Sequence, residues 1–170
     1  MLDDDRLVTT QEAAPAHEVE VQALVAGAGL PDAVQVRSWV RGALQGQDRP
    51  LEVVVRIVDE AEIRDLNKRF RHRDKPTNVL SFPSAPVGFV RDGREPALLG
   101  DLVICAPLVR REAGEQGKTI DAHFAHMVVH GVLHLLGHDH LDDDEAAEME
   151  AAECRILQGL GFGDPYRHPA

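Results

Sequence analysis

The stretch His130-Gly131-Val132-Leu133-His134-Leu135-Leu136-Gly137-His138-Asp139-His140 carries the most information in the chain. Around it, residues 119–136 contain no proline and a single glycine, Gly131. The apolar positions Phe124, Met127, Val128, Leu133, Leu135 and Leu136 recur at helical spacing, which predicts a mostly buried helix. His130 and His134 stand four positions apart, so their imidazoles share one helix face and aim at one point. Gly137 can take the left-handed conformation that ends a helix, letting the chain fold back and bring His140 to that point. Three neutral imidazoles with an open fourth position are the ligand set of a catalytic zinc ion, whereas structural zinc sites are closed by four ligands rich in Cys.

Six of the nine histidines fall between His123 and His140, a density that ordinary core histidines explain poorly. His126, His130 and His134 also share a stripe, but positions eight apart are separated by about 12 Å along a helix axis, too far for one ion. His123 and His126 therefore read as neighbours that support the site or the core, and the spacing favours His140 over His138. His-x3-His-x2-Gly-x2-His is the spacing of the metzincin metalloproteases, yet Gly131 stands where those enzymes carry the glutamate that activates water. Residues Asp142 to Leu157 have the composition of an amphipathic helix, not of a Met-containing turn. The expectation is a metzincin-like zinc-binding helix without peptidase chemistry.

The 170 residues suffice for one domain with its own core. The two cysteines, Cys105 in an expected strand and Cys154 in an expected helix, form no CxxC pair and are read as small apolar residues in a reducing cytoplasm. The acidic start, Met1 to Asp5, lacks the apolar core of a signal peptide, and no stretch reaches membrane-spanning length, so a soluble cytoplasmic protein is expected. The net charge of −11 argues at first against a nucleic-acid partner. Its distribution argues the other way: residues 64–75 hold Arg64, Lys68, Arg69, Arg71, Arg73 and Lys75 against Asp65 and Asp74, a local +4 that leaves −15 for the remainder. Such an asymmetry suits a phosphate backbone, although solvated side chains at a helix end would look the same.

Taken in order, residues 1–16 read as a flexible leader and 17–170 as a single domain. Glu18 to Val25 alternates as a strand. Pro31 introduces a helix from Asp32 to Gln45 with Val36, Trp39, Val40 and Ala43 inward. Leu51 to Val58 is the strongest strand signal. Asp59 caps a helix to about Phe70, docking Ile63 and Leu66. Asn78 to Phe82 reads as a short strand, Ser84 to Pro96 as a flexible loop beside the site, and Asp101 to Cys105 as another strand. Pro107 starts a helix to about Glu115, Thr119 or Asp121 caps the histidine helix, and Asp142 to Gly159 forms the last helix, its acidic start favourable at a helix N-terminus. The fold expected is α+β: a small mixed four-stranded sheet packed with about five helices.

Three blocks stand out: Leu66-Asn67-Lys68-Arg69-Phe70-Arg71 through Asp74-Lys75-Pro76-Thr77-Asn78-Val79-Leu80-Ser81-Phe82-Pro83, Leu99-Gly100-Asp101-Leu102-Val103-Ile104-Cys105, and the histidine motif with Ala125-His126 before it. In their order and spacing they resemble the YbeY family, bacterial rRNA maturation factors also described as single-strand-specific endoribonucleases. A softer block runs from Asp142 to Tyr166. His138 departs from the family, which more often has an aromatic there. The resemblance implies a zinc-dependent endoribonuclease acting in 16S rRNA 3′ end maturation, ribosome biogenesis and ribosome quality control. Its partners would be single-stranded RNA and the small ribosomal subunit with its proteins, with neither DNA nor membrane.

One Zn2+ per chain would sit on His130, His134 and His140, although three imidazoles also accept nickel, copper or iron. Catalytic roles are expected of His130 and of Arg71, whose guanidinium can pair with phosphate oxygens and which occupies the position of the family's functionally important arginine. Asp139 is read as a partner of a ligand histidine or as a turn cap. Two alternatives remain open at this point: a metallohydrolase or metallopeptidase using the protease-like triad, and a non-catalytic ribosome assembly factor with a structural metal.

Overall fold

The computed structural model describes residues 16–84, 96–139 and 141–167. In chain order these form β1 (Glu18–Ala23), α1 (Ala33–Ala43), β2 (Leu51–Val58), α2 (Glu60–Arg71), β3 (Val79–Pro83), β4 (Ala97–Cys105), α3 (Ala106–Glu115), α4 (Ile120–Leu135) and α5 (Asp143–Gly159). The sheet order is β1-β2-β4-β3. β1, β2 and β4 run parallel and β3 lies antiparallel to β4, giving the mixed sheet of an α+β fold.

β2 is central, and its alternation sets the layers. Leu51, Val53, Val55 and Ile57 are buried on one face, where they meet Trp39 and Val40 of α1 and Phe124 and Val128 of α4 in the main core. α2 covers part of the opposite face, where Ile63 packs with Val58, Leu80, Val103 and Cys105. α4 is buried nearly all round; the polar groups it carries are therefore forced to find partners inside the protein. Thr119 caps this helix by accepting from the Ala122 N–H at 3.1 Å.

β4 begins at Ala97, four residues earlier than the reading from Asp101. Gly100 forms part of a bulge: the register against β2 shifts between Glu52 and Val53. A Cβ at Gly100, whose φ is 156°, would lie 2.4 Å from the Phe82 carbonyl oxygen, so only glycine lets β3 pair this closely. Cys105 is buried as expected, while Cys154 is half-buried with its thiol 3.4 Å from Asp164 Oδ1; both are free. Among the described residues no helix is long and apolar enough to cross a membrane. The leader at residues 1–15, most of the loop expected from Ser84 to Pro96, and His140 lie outside the described residues.

Candidate metal centre

The last two turns of α4 place His130 and His134 on one face, half-buried at the rim of the core. Their Nε2 atoms are 3.0 Å apart. Two imidazole nitrogens bound to one tetrahedral ion, each at about 2.0–2.1 Å, stand about 3.3 Å from each other, so the pair is spaced for a shared metal. Gly137 then ends the helix with φ 97°, and the His138 N–H returns to the Leu133 carbonyl at 3.0 Å. That tight turn sends the chain back over the histidine face, with His138 and Asp139 lining the cleft there.

Behind His130 lies a residue that the sequence reading passed over. Glu153 of α5 is fully buried and accepts from His130 Nδ1 at 2.6 Å, from His126 Nε2 at 2.9 Å and from the Tyr166 hydroxyl. His126, His130 and Glu153 form a cluster able to hold a metal ion, their ligand-type atoms all within 4.8 Å of one another. Burial by itself would push the Glu153 carboxyl up, but the three hydrogen bonds, from His126, His130 and Tyr166, outweigh it and hold the pKa at about 2. The Tyr166 hydroxyl is driven upward by burial and by the same carboxylate.

An ionised carboxylate only accepts, so His126 carries its proton on Nε2 and His130 on Nδ1. The lone pair of His130 Nε2 therefore faces His134, the arrangement in which a carboxylate orients a metal-binding imidazole from behind. His126 thus supports the site through Glu153. His123 lies away from it, buried, 3.6 Å from Glu112 Oε2, with neither ring nitrogen hydrogen-bonded among the described residues. Burial, with His126 and Lys118 nearby, lowers its pKa to about 4.

A cleft of about 380 Å³ opens over the two imidazoles, lined also by Arg71, Ser81, Pro83 and Asp139. Arg71 reaches it from the last turn of α2. The Asp59 carboxylate starts that helix by accepting from the Glu62 N–H at 2.9 Å, and His72, left-handed at φ 58°, stops it. The buried Asn67 pins the loop that follows by donating to the Lys75 carbonyl at 2.8 Å. The Arg71 guanidinium donates to the Ser81 carbonyl at 2.8 Å and lies 5.4 Å from the Phe82 ring centroid.

A second cleft of about 730 Å³ adjoins the first across β3 and is lined by Arg71, Arg73, Lys75, Asn78 and Glu112. Arg64 is paired with Asp74 at 2.9 Å; among the described residues Lys68, Arg69, Arg71, Arg73 and Lys75 form no ion pair.

The structure thus brings His130, His134, Asp139 and Arg71 to one cleft, with the third expected ligand, His140, outside the described residues. The sequence carried only a weak signal for Glu153, a carboxylate on one stripe with Met149, Ala152 and Leu157, close to Glu145, Glu148 and Glu150 of a solvated face.

Comparison with solved structures finds TM1509 from Thermotoga maritima, determined in solution, which is similar over 88% of this chain and 99% of that one at 22% identity, with a TM-score of 0.52. It supports the fold. The family described as endoribonuclease YbeY matches residues 31–161, a span that includes the basic turn after α2, the histidine helix and Glu153. With most of its length and all of the described cleft inside that match, this chain belongs to the YbeY family of endoribonucleases.

Proposed function

We propose that this endoribonuclease cuts single-stranded RNA with a zinc ion held by His130, His134 and His140, and that Arg71 binds the phosphate at the point of cleavage. Its substrate is rRNA of the small ribosomal subunit, whose 3′ end it matures in the cytoplasm as part of ribosome biogenesis and quality control. The observation that carries this reading is one cleft shared by the facing Nε2 atoms of His130 and His134 and by Arg71. Imidazole donors suit zinc, and their spacing suits two ligands of one ion.

When bound, such an ion supplies Lewis acidity, acidifying water toward neutral pH and polarising a phosphoryl oxygen. Glu153 fixes the tautomer and orientation of His130. Arg71 offers paired N–H donors to the non-bridging oxygens and stabilises the charge that grows on them. Arg73 and Lys75, in the adjoining cleft, favour the path of a polyanion over an otherwise acidic protein.

The peptidase alternative loses support at Gly131. A Cβ there would lie 2.7 Å from Leu102 Cδ2 and 3.3 Å from Ser81 Oγ, so this position faces the sheet and has no room for a glutamate.

The test is cleavage of single-stranded rRNA fragments by wild type, Arg71→Ala and His134→Ala, with metal content measured in each. Arg71→Ala should keep its metal and lose about 100-fold or more in rate, the cost of removing a donor to developing charge; His134→Ala should lose both. A fully metallated wild type that leaves RNA intact would overturn the reading in favour of a non-catalytic assembly factor, for which Arg71→Ala weakens ribosome association with no cleavage to lose.

A further inference from the structure

The geometry points to Phe70 as a stacking platform for one base of the RNA strand, beside the phosphate bound by Arg71, and so as a source of selectivity for single strands. This rests on the endoribonuclease reading above. The chain has only five Phe, one Trp and one Tyr. Phe124 and the partly buried Phe162 both pack on Trp39 of the core, with centroid separations of 6.4 and 5.9 Å. Tyr166 leans on His126 and gives its hydroxyl to Glu153. Phe70 is different: it is 52% exposed and has no polar handle.

Its place in α2 sharpens the anomaly. Positions 63, 66, 67 and 70 form one helical stripe, and Ile63 and Asn67 on it are buried. A residue at 70 would ordinarily be core. β3 is the edge strand, however, so the end of α2 overhangs the sheet and finds Phe82 beneath it. The two rings meet nearly edge to face, 5.4 Å apart at 70°, which holds Phe70 in place. The Arg69 guanidinium lies 5.6 Å from the Phe70 centroid. A flat cation resting there marks a ring surface that other flat groups can reach, and a nucleobase can take its position while Arg69 moves to a phosphate.

The neighbouring residue, Arg71, lines the cleft that holds His130 and His134, so a base stacked on Phe70 belongs to a nucleotide close to the scissile phosphate. Bases in a duplex are already stacked and paired, and cannot lie on this ring without leaving the helix.

The experiment measures binding of an unstructured RNA decamer, with and without one abasic position moved along the strand, to full-length wild type, Phe70→Ala, Phe70→Leu and Phe70→Trp, in chelator to prevent cutting. Losing the stacking ring should weaken binding about 5- to 100-fold. Leu, which keeps apolar contact with Phe82, should lose nearly as much as Ala, and Trp should restore affinity. At one position, removing the base should cost wild type a similar factor and cost Phe70→Ala little. Equal affinity of Phe70→Ala and wild type, or an abasic penalty undiminished in Phe70→Ala, overturns the proposal and leaves the nuclease reading standing. Wild type that binds with these patterns but fails to cut RNA when metallated sinks the nuclease reading and leaves the platform. Absence of RNA binding by wild type removes both.

Discussion

Replacing Glu153 by Gln keeps the volume of the side chain and removes its charge, which makes it the sharpest probe of the metal centre. Three donors now converge on a fully buried carboxylate. Hydrogen bonds to a charged partner contribute about 1.5–3 kcal/mol each against about 1 for neutral ones, and an amide can still serve two of the three if His126 changes tautomer. These figures span a net loss of about 2.5–7 kcal/mol, and we take about 3, near the lower end. A depression of the carboxyl from 4.5 to about 2 gives a similar figure, since each unit is worth about 1.4 kcal/mol. For a domain of this size the melting temperature should fall by about 6–12 °C.

Because the folded pKa is the lower one, this stabilisation is complete above pH 4.5 and disappears as the pH falls toward 2; the acid limb of metal-free Glu153→Gln should be flatter in that window. His130 also loses its orienting partner, so zinc affinity, measured by competition with a chromophoric chelator, should drop about 10- to 100-fold, while His134→Ala should abolish binding. The opposite pattern, binding lost in Glu153→Gln and unchanged in His134→Ala, would refute the assignment and put the ion among His126, His130 and Glu153.

Buried His123, held near pKa 4, costs stability as the unfolded chain takes up its proton below pH 6.5; the stability of wild type relative to His123→Leu, measured metal-free, should therefore fall by about 2 kcal/mol between pH 7.5 and pH 5. Parallel profiles for the two proteins would contradict that burial. Gly131→Ala should gain about 1 kcal/mol of helix propensity and lose about 1–3 to the clash with Leu102, a net loss of up to about 2 kcal/mol and a fall of up to about 8 °C in melting temperature. Adding Leu102→Val should relieve it; a variant more stable than wild type would mean that Leu102 moves aside freely. Arg71→Lys should cleave RNA no more than about 10-fold better than Arg71→Ala, because an ammonium cannot reproduce the planar pair of donors, and full rescue would reduce the role of Arg71 to bare charge.

What could be read from the sequence was local. The period of α4, the alternation of β2 and the caps Asp59 and Thr119 are short-range regularities, and each lies where it was expected. The start of β4 was not legible, because a glycine such as Gly100 has two uses in a strand, breaking it or admitting a close neighbour, and only the approach of Phe82 distinguishes them. Glu153 was hidden among Glu145, Glu148 and Glu150, which look like one solvated face. Knowing that it turns inward requires the packing of α5 on α4, a relation over 23 residues between His130 and its partner. The basic segment was visible as charge, but its position beside the imidazoles depends on β3 being the edge strand, and strand order is a property of the whole sheet.

Gly131 links these levels. Read against the protease pattern, it is a missing base; in the fold it is what lets α4 lie flush on the sheet. The Ser81 hydroxyl donates to the Gly131 carbonyl at 3.1 Å, and the Ser81 carbonyl in turn accepts from Arg71 at 2.8 Å. Any side chain at 131 must push against Leu102 and Ser81, and so against the strand on which Arg71 rests. A glutamate at this position would therefore have to displace Leu102 and Ser81, and with Ser81 the carbonyl that holds Arg71 at the cleft of His130 and His134. The volume of one residue thus bears on both parts of the cleft, the room for a carboxylate on α4 and the seat of the Arg71 guanidinium on β3.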